Sequence, residues 1–276
     1  MYSPGAANTA VFYKRGPIIS ITSVSVRTPR PYLALTLTTL GLLVFLGAVG
    51  TICYLLGFPG YLPLAVAFIP LTAAIGISLS VRHRWRASGF RLVNMKQSGT
   101  VTAIVLVAAL PIGVIVSSAG FAANGIQILQ FAGLALLVGF VEETIFRGIL
   151  LRLFAARSPR VGVIATSVGF AVAHSAAALS PDQSLTVSIT TVVYAFLFGM
   201  VAATLVRITG SIWPAIALHT TFDFVGFVLT PHSAEITNAV NIAVAVVLIP
   251  ILIRLSRQRS KASRVEERQH KAQLPQ

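Results

Sequence analysis

Charge is what this chain has least of. Only 10% of its 276 residues are charged, against about 25% in a soluble globular domain, so the sequence cannot cover a water-facing surface. Hydrophobic residues make up 55%, and the mean hydropathy is +0.84. A soluble one- or two-domain protein is excluded, and a polytopic membrane protein is expected. Cysteine is nearly absent. The single Cys53 lies in an apolar run, which excludes a disulfide framework and a cysteine-based zinc site and leaves a small core or lipid-facing residue. There is no internal repeat and no linker to a second folded domain. No apolar core follows a basic start within the first thirty residues, so a cleavable signal peptide is not expected.

What is present is a series of long apolar runs. They fall at about 32–57, 61–80, 100–119, 126–151, 160–179, 187–206, 211–230 and 236–255, each long enough to cross a hydrocarbon core of roughly 30 Å as a helix. This predicts an all-α membrane bundle of about eight transmembrane helices. Residues 1–31 form a polar tail, 32–255 the transmembrane domain, and 256–276 a basic tail expected as a fraying helix extension. Acids are scarce, 7 against 21 Lys and Arg. Every basic residue falls in alternate links: four in the N-terminal tail, five in the 81–98 loop, four in 147–160, Arg207 alone, and seven in the C-terminal tail. The positive-inside rule then places both termini in the cytoplasm. With the charge so explained, no nucleic-acid partner is needed. Proline at 63, 70, 111 and 214 interrupts the runs, which membrane helices tolerate. Gly199 and Ala203 form a small-xxx-small pair suited to close helix packing. Trp85 and Trp213 lie at inner ends of runs and read as interfacial anchors.

Five acids and histidines stand inside apolar runs: Glu142, Glu143, His174, His219 and Asp223. Such residues are costly in hydrocarbon, face a protein interior and mark function. Glu143 and Arg147 are four apart with the acid on the N-terminal side, the favourable order for an ion pair on one helix face. Glu142 is about 100° round the helix from Glu143 and is not held by that pair. Phe170 and His174 are one turn apart, as are His219 and Asp223. At 1.5 Å per residue, Glu142, His174, His219 and Asp223 lie roughly 10 to 21 Å from the cytoplasmic ends of their helices. Three helices can therefore bring them together in the middle third of the membrane.

The order E-E-x-x-x-R (Glu142, Glu143, Arg147), F-x-x-x-H (Phe170, His174) and H-x-x-x-N/D (His219, Asp223), each on its own helix, resembles the CAAX protease and bacteriocin-processing (CPBP, abortive-infection) family of intramembrane endopeptidases. The resemblance covers about residues 126–230. It implies hydrolysis of a peptide bond in a water-filled cavity open to the cytoplasm, with no cofactor. Glu142 would be the general base, His174 would hold and polarise the water, and His219 would donate to the developing oxyanion with Asp223 beside it. Glu143, Arg147 and Phe170 would support the site. The best-studied branch of the family has Asn at the last motif position. Ionised Asp offers only acceptors, so Asp223 must be protonated, orient His219 or bind a cation.

Other classes fit parts of the pattern. Two carboxylates, two imidazoles and Asp223 could ligate zinc, yet H-E-x-x-H, G-x-S-x-G and G-x-G-D are all absent. A proton-coupled transporter also places acids and histidines at mid-membrane, but the repeat is missing and the other five runs lack ionisable residues. An idle scaffold or immunity protein of the same fold is the remaining alternative. The expected partners are a membrane-associated protein or peptide substrate and the lipid bilayer. Arg outnumbers Lys 17 to 4, which suits a bacterial protein from a GC-rich genome in the cell (inner or plasma) membrane. Prenylated substrates would then be unexpected.

Overall fold

A computed structural model describes residues 30–93, 123–154, 158–175, 184–229 and 234–272, with the side chains of 234–236 and 258–272 left undescribed. The described residues form seven helices and no strand. They are α1 (Pro31–Leu55), α2 (Leu62–Val81), α3 (Gly125–Glu143, continued by a π-helical segment Thr144–Leu150 and by Leu151–Leu153), α4 (Pro159–His174), α5 (Leu185–Thr209), α6 (Trp213–Val228) and α7 (Ala234–Ala272). The run expected at 100–119 lies outside the described residues.

Sequence chemistry sets the helix starts. Asn124 and Gln127 cap α3 reciprocally: Gln127 N–H donates to Asn124 Oδ1 at 3.0 Å, and Asn124 N–H donates to Gln127 Oε1 at 2.8 Å, which satisfies two otherwise orphaned donors. Ser184 caps α5 by accepting from Val187 N–H at 3.2 Å. Pro63 and Pro214 sit in the first turns of α2 and α6, where a missing N–H breaks no helical bond. They start helices rather than interrupt them. Pro70 is inside α2, and Pro111 is outside the described residues.

Among the described residues, four helices are long and apolar enough to cross a membrane: α1, α2, α5 and Thr237–Arg257 of α7. Helices α4 and α6 have 16 residues each, about 24 Å of helix, and are shorter than the runs expected at 160–179 and 211–230. Gly210-Ser211 ends one run's helix before the next begins at Trp213, and α6 stops ahead of Pro231. Large apolar side chains face outward, among them Val44 at 69%, Leu129 at 74% and Leu185 at 75% exposure. An apolar exterior of this kind suits lipid, and the chain is a multi-pass membrane protein.

Helix α5 is central, packed against α4, α6 and α7, while α3 packs along α6 and α2, and α1 lies against α2 and α4. Two glycines set the closest approaches. A Cβ on Gly199 would come within 2.9–3.0 Å of Ser167, so α4 and α5 touch there as the small-xxx-small pair suggests. A Cβ on Gly139 would meet the Thr220 backbone nitrogen at 3.2 Å and its Oγ1 at 2.8 Å. This contact presses the glutamate-bearing end of α3 onto the His219 turn of α6. Cys53 is 2% exposed, a core residue. The 82–93 loop docks on the α5–α6 link through Ile212 N–H to Gly89 O at 2.9 Å and Ser211 Oγ–H to Arg91 O at 2.5 Å. Trp85, Phe90 and Trp213 stack there edge to face, with Phe90 4.8 Å from Trp85 and 5.4 Å from Trp213.

Candidate active site

Helix α3 changes character where its acids end. Glu143 is the last α-helical residue, and Thr144–Leu150 adopts the wider π-helical winding, a local irregularity common at functional sites. Glu143 is fully buried, and its Oε1 accepts from Arg147 Nη1 at 2.8 Å. The guanidinium is itself fully buried and lies over the Phe170 ring, with Cζ 4.2 Å from the centroid. Phe146 and Phe198 flank it at 5.8 and 5.9 Å. The cation is thus held by one carboxylate and three aromatic faces.

The same Glu143 Oε1 lies 2.9 Å from His219 Nδ1. A carboxylate only accepts, so Nδ1 carries the proton and Nε2 is turned toward the other acids. His219 Nε2 lies 3.8 Å from Glu142 Oε2 and 3.5 Å from Asp223 Oδ2. From α4, His174 Nε2 lies 3.8 Å from the same Glu142 Oε2. Its Nδ1 is 2.9 Å from the Phe170 carbonyl, which likewise can only accept. Both imidazoles are therefore fixed at Nδ1 and present Nε2 to one carboxylate. Glu142 Oε2, Glu143 Oε2 and Asp223 Oδ2 have no hydrogen-bond partner among the described residues.

The three motif segments meet as one cluster: Glu142, Glu143 and Arg147 on α3, Phe170 and His174 on α4, His219 and Asp223 on α6. One relationship differs from the sequence reading. Glu143 does not serve Arg147 alone; it also holds His219, so both glutamates address the same imidazole. Phe170 reaches further than a brace, its ring centroid being 4.4 Å from that of His174 and 5.7 Å from that of His219. Phe198 of α5 was not anticipated at all, yet its ring packs 5.0 Å from His219. As one of 16 phenylalanines, in a continuously apolar helix, it carries no sequence signal. Among the described residues no group of three or more His, Cys, Asp or Glu side chains is placed to hold a metal ion.

A family model described as Type II CAAX prenyl endopeptidase Rce1-like matches residues 124–225, a span that runs from the N-cap of α3 into α6 and includes every residue of the cluster. No curated protein and no solved structure matches the chain. The matched span begins at the Asn124 cap, ends just past Asp223, and carries the three motifs in order on three packed helices. Residues 124–225 are therefore similar to the Rce1-like type II CAAX prenyl endopeptidases, in line with the CAAX protease and bacteriocin-processing family that those motifs resemble.

Proposed function

We propose that this protein is an intramembrane endopeptidase that hydrolyses a peptide bond of a membrane-associated protein or peptide by glutamate- and histidine-activated attack of water. The observation that carries the reading is the convergence on one oxygen: Glu142 Oε2 has an imidazole Nε2 at 3.8 Å from each of two helices. That separation exceeds a direct hydrogen bond and suits a bridging water. A water donating to Glu142 and to His174 Nε2 would have its lone pairs free for the substrate carbonyl. Glu142 takes the proton as general base. Because His219 Nδ1–H is given to Glu143, a second proton on Nε2 makes the ring an imidazolium, a strong donor to the developing oxyanion. Asp223 stands beside that nitrogen and orients it. Glu143, Arg147 and Phe170 are positioning residues that fix the two imidazoles.

The reaction needs no metal in this reading. The chain would lie in the cell membrane with about eight spans, both termini cytoplasmic, and the site open to that side. The distribution of the basic residues outside the buried Arg147 supports this orientation. The test is comparative peptidomics of membranes carrying the wild type or Glu142→Gln. Peptides that appear only with the wild type identify the substrate, and identical peptide sets reject the assignment.

A further inference from the structure

The 82–93 loop and the end of α3 bring two arginines together with no acid between them. Gly89 has a φ of +95°, which side-chain-bearing residues rarely adopt, and its bare Cα faces Arg152. A Cβ there would collide with Arg152 Nη2 and lie 3.4 Å from Cζ and 3.5 Å from Ile212 Cβ. The guanidinium is thus seated in a notch of the loop backbone that only glycine leaves open. Arg91, two residues on, is close enough for its charge to oppose that of Arg152. It is pinned at both ends: its Nε–H donates to Arg86 O at 2.9 Å, and its carbonyl accepts from Ser211 Oγ–H.

Neither cation is neutralised from within the chain. Arg152 Nε is buried with no hydrogen-bond partner among the described residues, and neither arginine has an ion pair among them. Of the seven acids, Glu142, Glu143 and Asp223 belong to the site cluster. Asp182 stands before the start of α5 and Glu235 after the end of α6, each a helix length from Ile212. Glu266 and Glu267 lie beyond the apolar span of α7, and residues 94–122 contain no acid. The last turn of a helix such as α3 suits a cation, yet it gives this Nε no acceptor. Two opposed cations with an orphaned donor leave a place for an anion from outside the chain.

The neighbouring tryptophans indicate which anion. Trp85 and Trp213 flank the loop through Phe90, and Trp213 is 46% exposed, as suits an indole in the headgroup layer of a membrane. A phosphate at that depth belongs to a lipid. We propose that Arg91 and Arg152 bind the headgroup phosphate of an anionic phospholipid, which fastens the 82–93 loop to the end of α3. The planar fork of arginine matches two phosphate oxygens. Arg152 closely follows the π-helical segment, and the loop already touches that segment: Ser88 O lies 3.0 Å from where a Cβ on Gly148 would be. The inference needs only a multi-pass membrane protein, not the endopeptidase reading.

The test is lipid titration of the full chain in neutral detergent, read by native mass spectrometry, with phosphatidylglycerol and phosphatidylcholine as probes. Unfolding temperature is measured alongside. Wild type should bind phosphatidylglycerol about tenfold more tightly than phosphatidylcholine, and Arg152→Gln and Arg91→Gln should each lose about that factor. Arg82→Gln, which removes an exposed cation of the same loop, should change binding by less than about twofold. Without anionic lipid, Arg152→Gln should unfold no lower than wild type, because it removes a like-charge repulsion. Added phosphatidylglycerol should raise the unfolding temperature of wild type but not of Arg152→Gln. Equal losses in all these variants, or equal binding of the two lipids, would reduce the site to diffuse surface charge and overturn the proposal. So would a lower unfolding temperature of Arg152→Gln in neutral detergent, the mark of a structural arginine. Displacement of the lipid by inorganic phosphate would likewise overturn it, in favour of a free-anion site.

Discussion

His219 Nδ1 and Glu143 Oε1 are 2.9 Å apart across the α3–α6 contact, and both side chains are buried. One carboxylate oxygen thereby binds a guanidinium on its own helix and an imidazole on another. Glu143→Gln removes the charge that balances Arg147 in a place with no water to replace it. Breaking a buried pair by deleting one partner costs about 3 to 5 kcal/mol. Thermal unfolding of the purified protein in detergent should show a clear loss of stability, with cleavage falling as His219 loses its anchor. An unchanged unfolding temperature would show that the pair does not hold the bundle.

Gly139 sets how near α3 comes to α6. Its missing Cβ would lie 3.2 Å from the Thr220 backbone nitrogen, an atom that cannot move without the His219 turn. Gly139→Val should cost about 1 to 3 kcal/mol through overpacking and lower kcat by moving His219 from Glu142. Unfolding and cleavage measured on the same preparation check both. Wild-type turnover in this variant would mean that the helix spacing is not critical.

The acid at 223 separates two mechanisms. Asn offers an N–H to an oxyanion where ionised Asp cannot, so Asp223→Asn should retain activity or raise it. Asp223→Ala should be much worse than Asn, since it lacks the oxyanion-side donor that Asn supplies, a difference of about 2.7 to 4 kcal/mol. The assay is cleavage in proteoliposomes, each variant with and without chelator. Loss of activity in the Asn variant, together with chelator inhibition reversed by zinc, would replace the proposed mechanism with a metal-dependent one.

Topology is checked independently of catalysis. Reporters active only in the cytoplasm or only outside it, fused after residues 59 and 90, should give opposite answers, with residue 90 cytoplasmic. The same side for both would rule out a span at α2 and with it the proposed orientation.

Much of the helix map is legible in the sequence because apolar runs bounded by Pro, Gly and Ser leave few choices. Pro31, Pro159 and Pro214 all sit in the first turns of helices. The site residues are legible for a different reason: Glu142, Glu143, His174, His219 and Asp223 are conspicuous against hydrocarbon-loving neighbours. What is not legible is how they are joined. The π-helical winding after Glu143 leaves no trace in residue periodicity, because all of Thr144–Leu150 except Ile145 and Ile149 is buried and those two are apolar as well. The bond from Glu143 to His219 spans 76 residues and depends on the close approach at Gly139, which a lone glycine in an apolar run does not announce. Phe198 and Tyr194 belong to a helix apolar on all sides, where nothing distinguishes the strip that faces the site.

The central claim is that Glu142 is the base and Glu143 its structural neighbour. Glu142 Oε2 makes no hydrogen bond to any described residue, so Glu142→Gln should leave folding intact. The decisive measurement is the single-turnover cleavage rate of Glu142→Gln in proteoliposomes, with the unfolding temperature of the same sample. The account predicts a wild-type unfolding temperature and no detectable cleavage. Cleavage at the wild-type rate by a folded Glu142→Gln protein would contradict it.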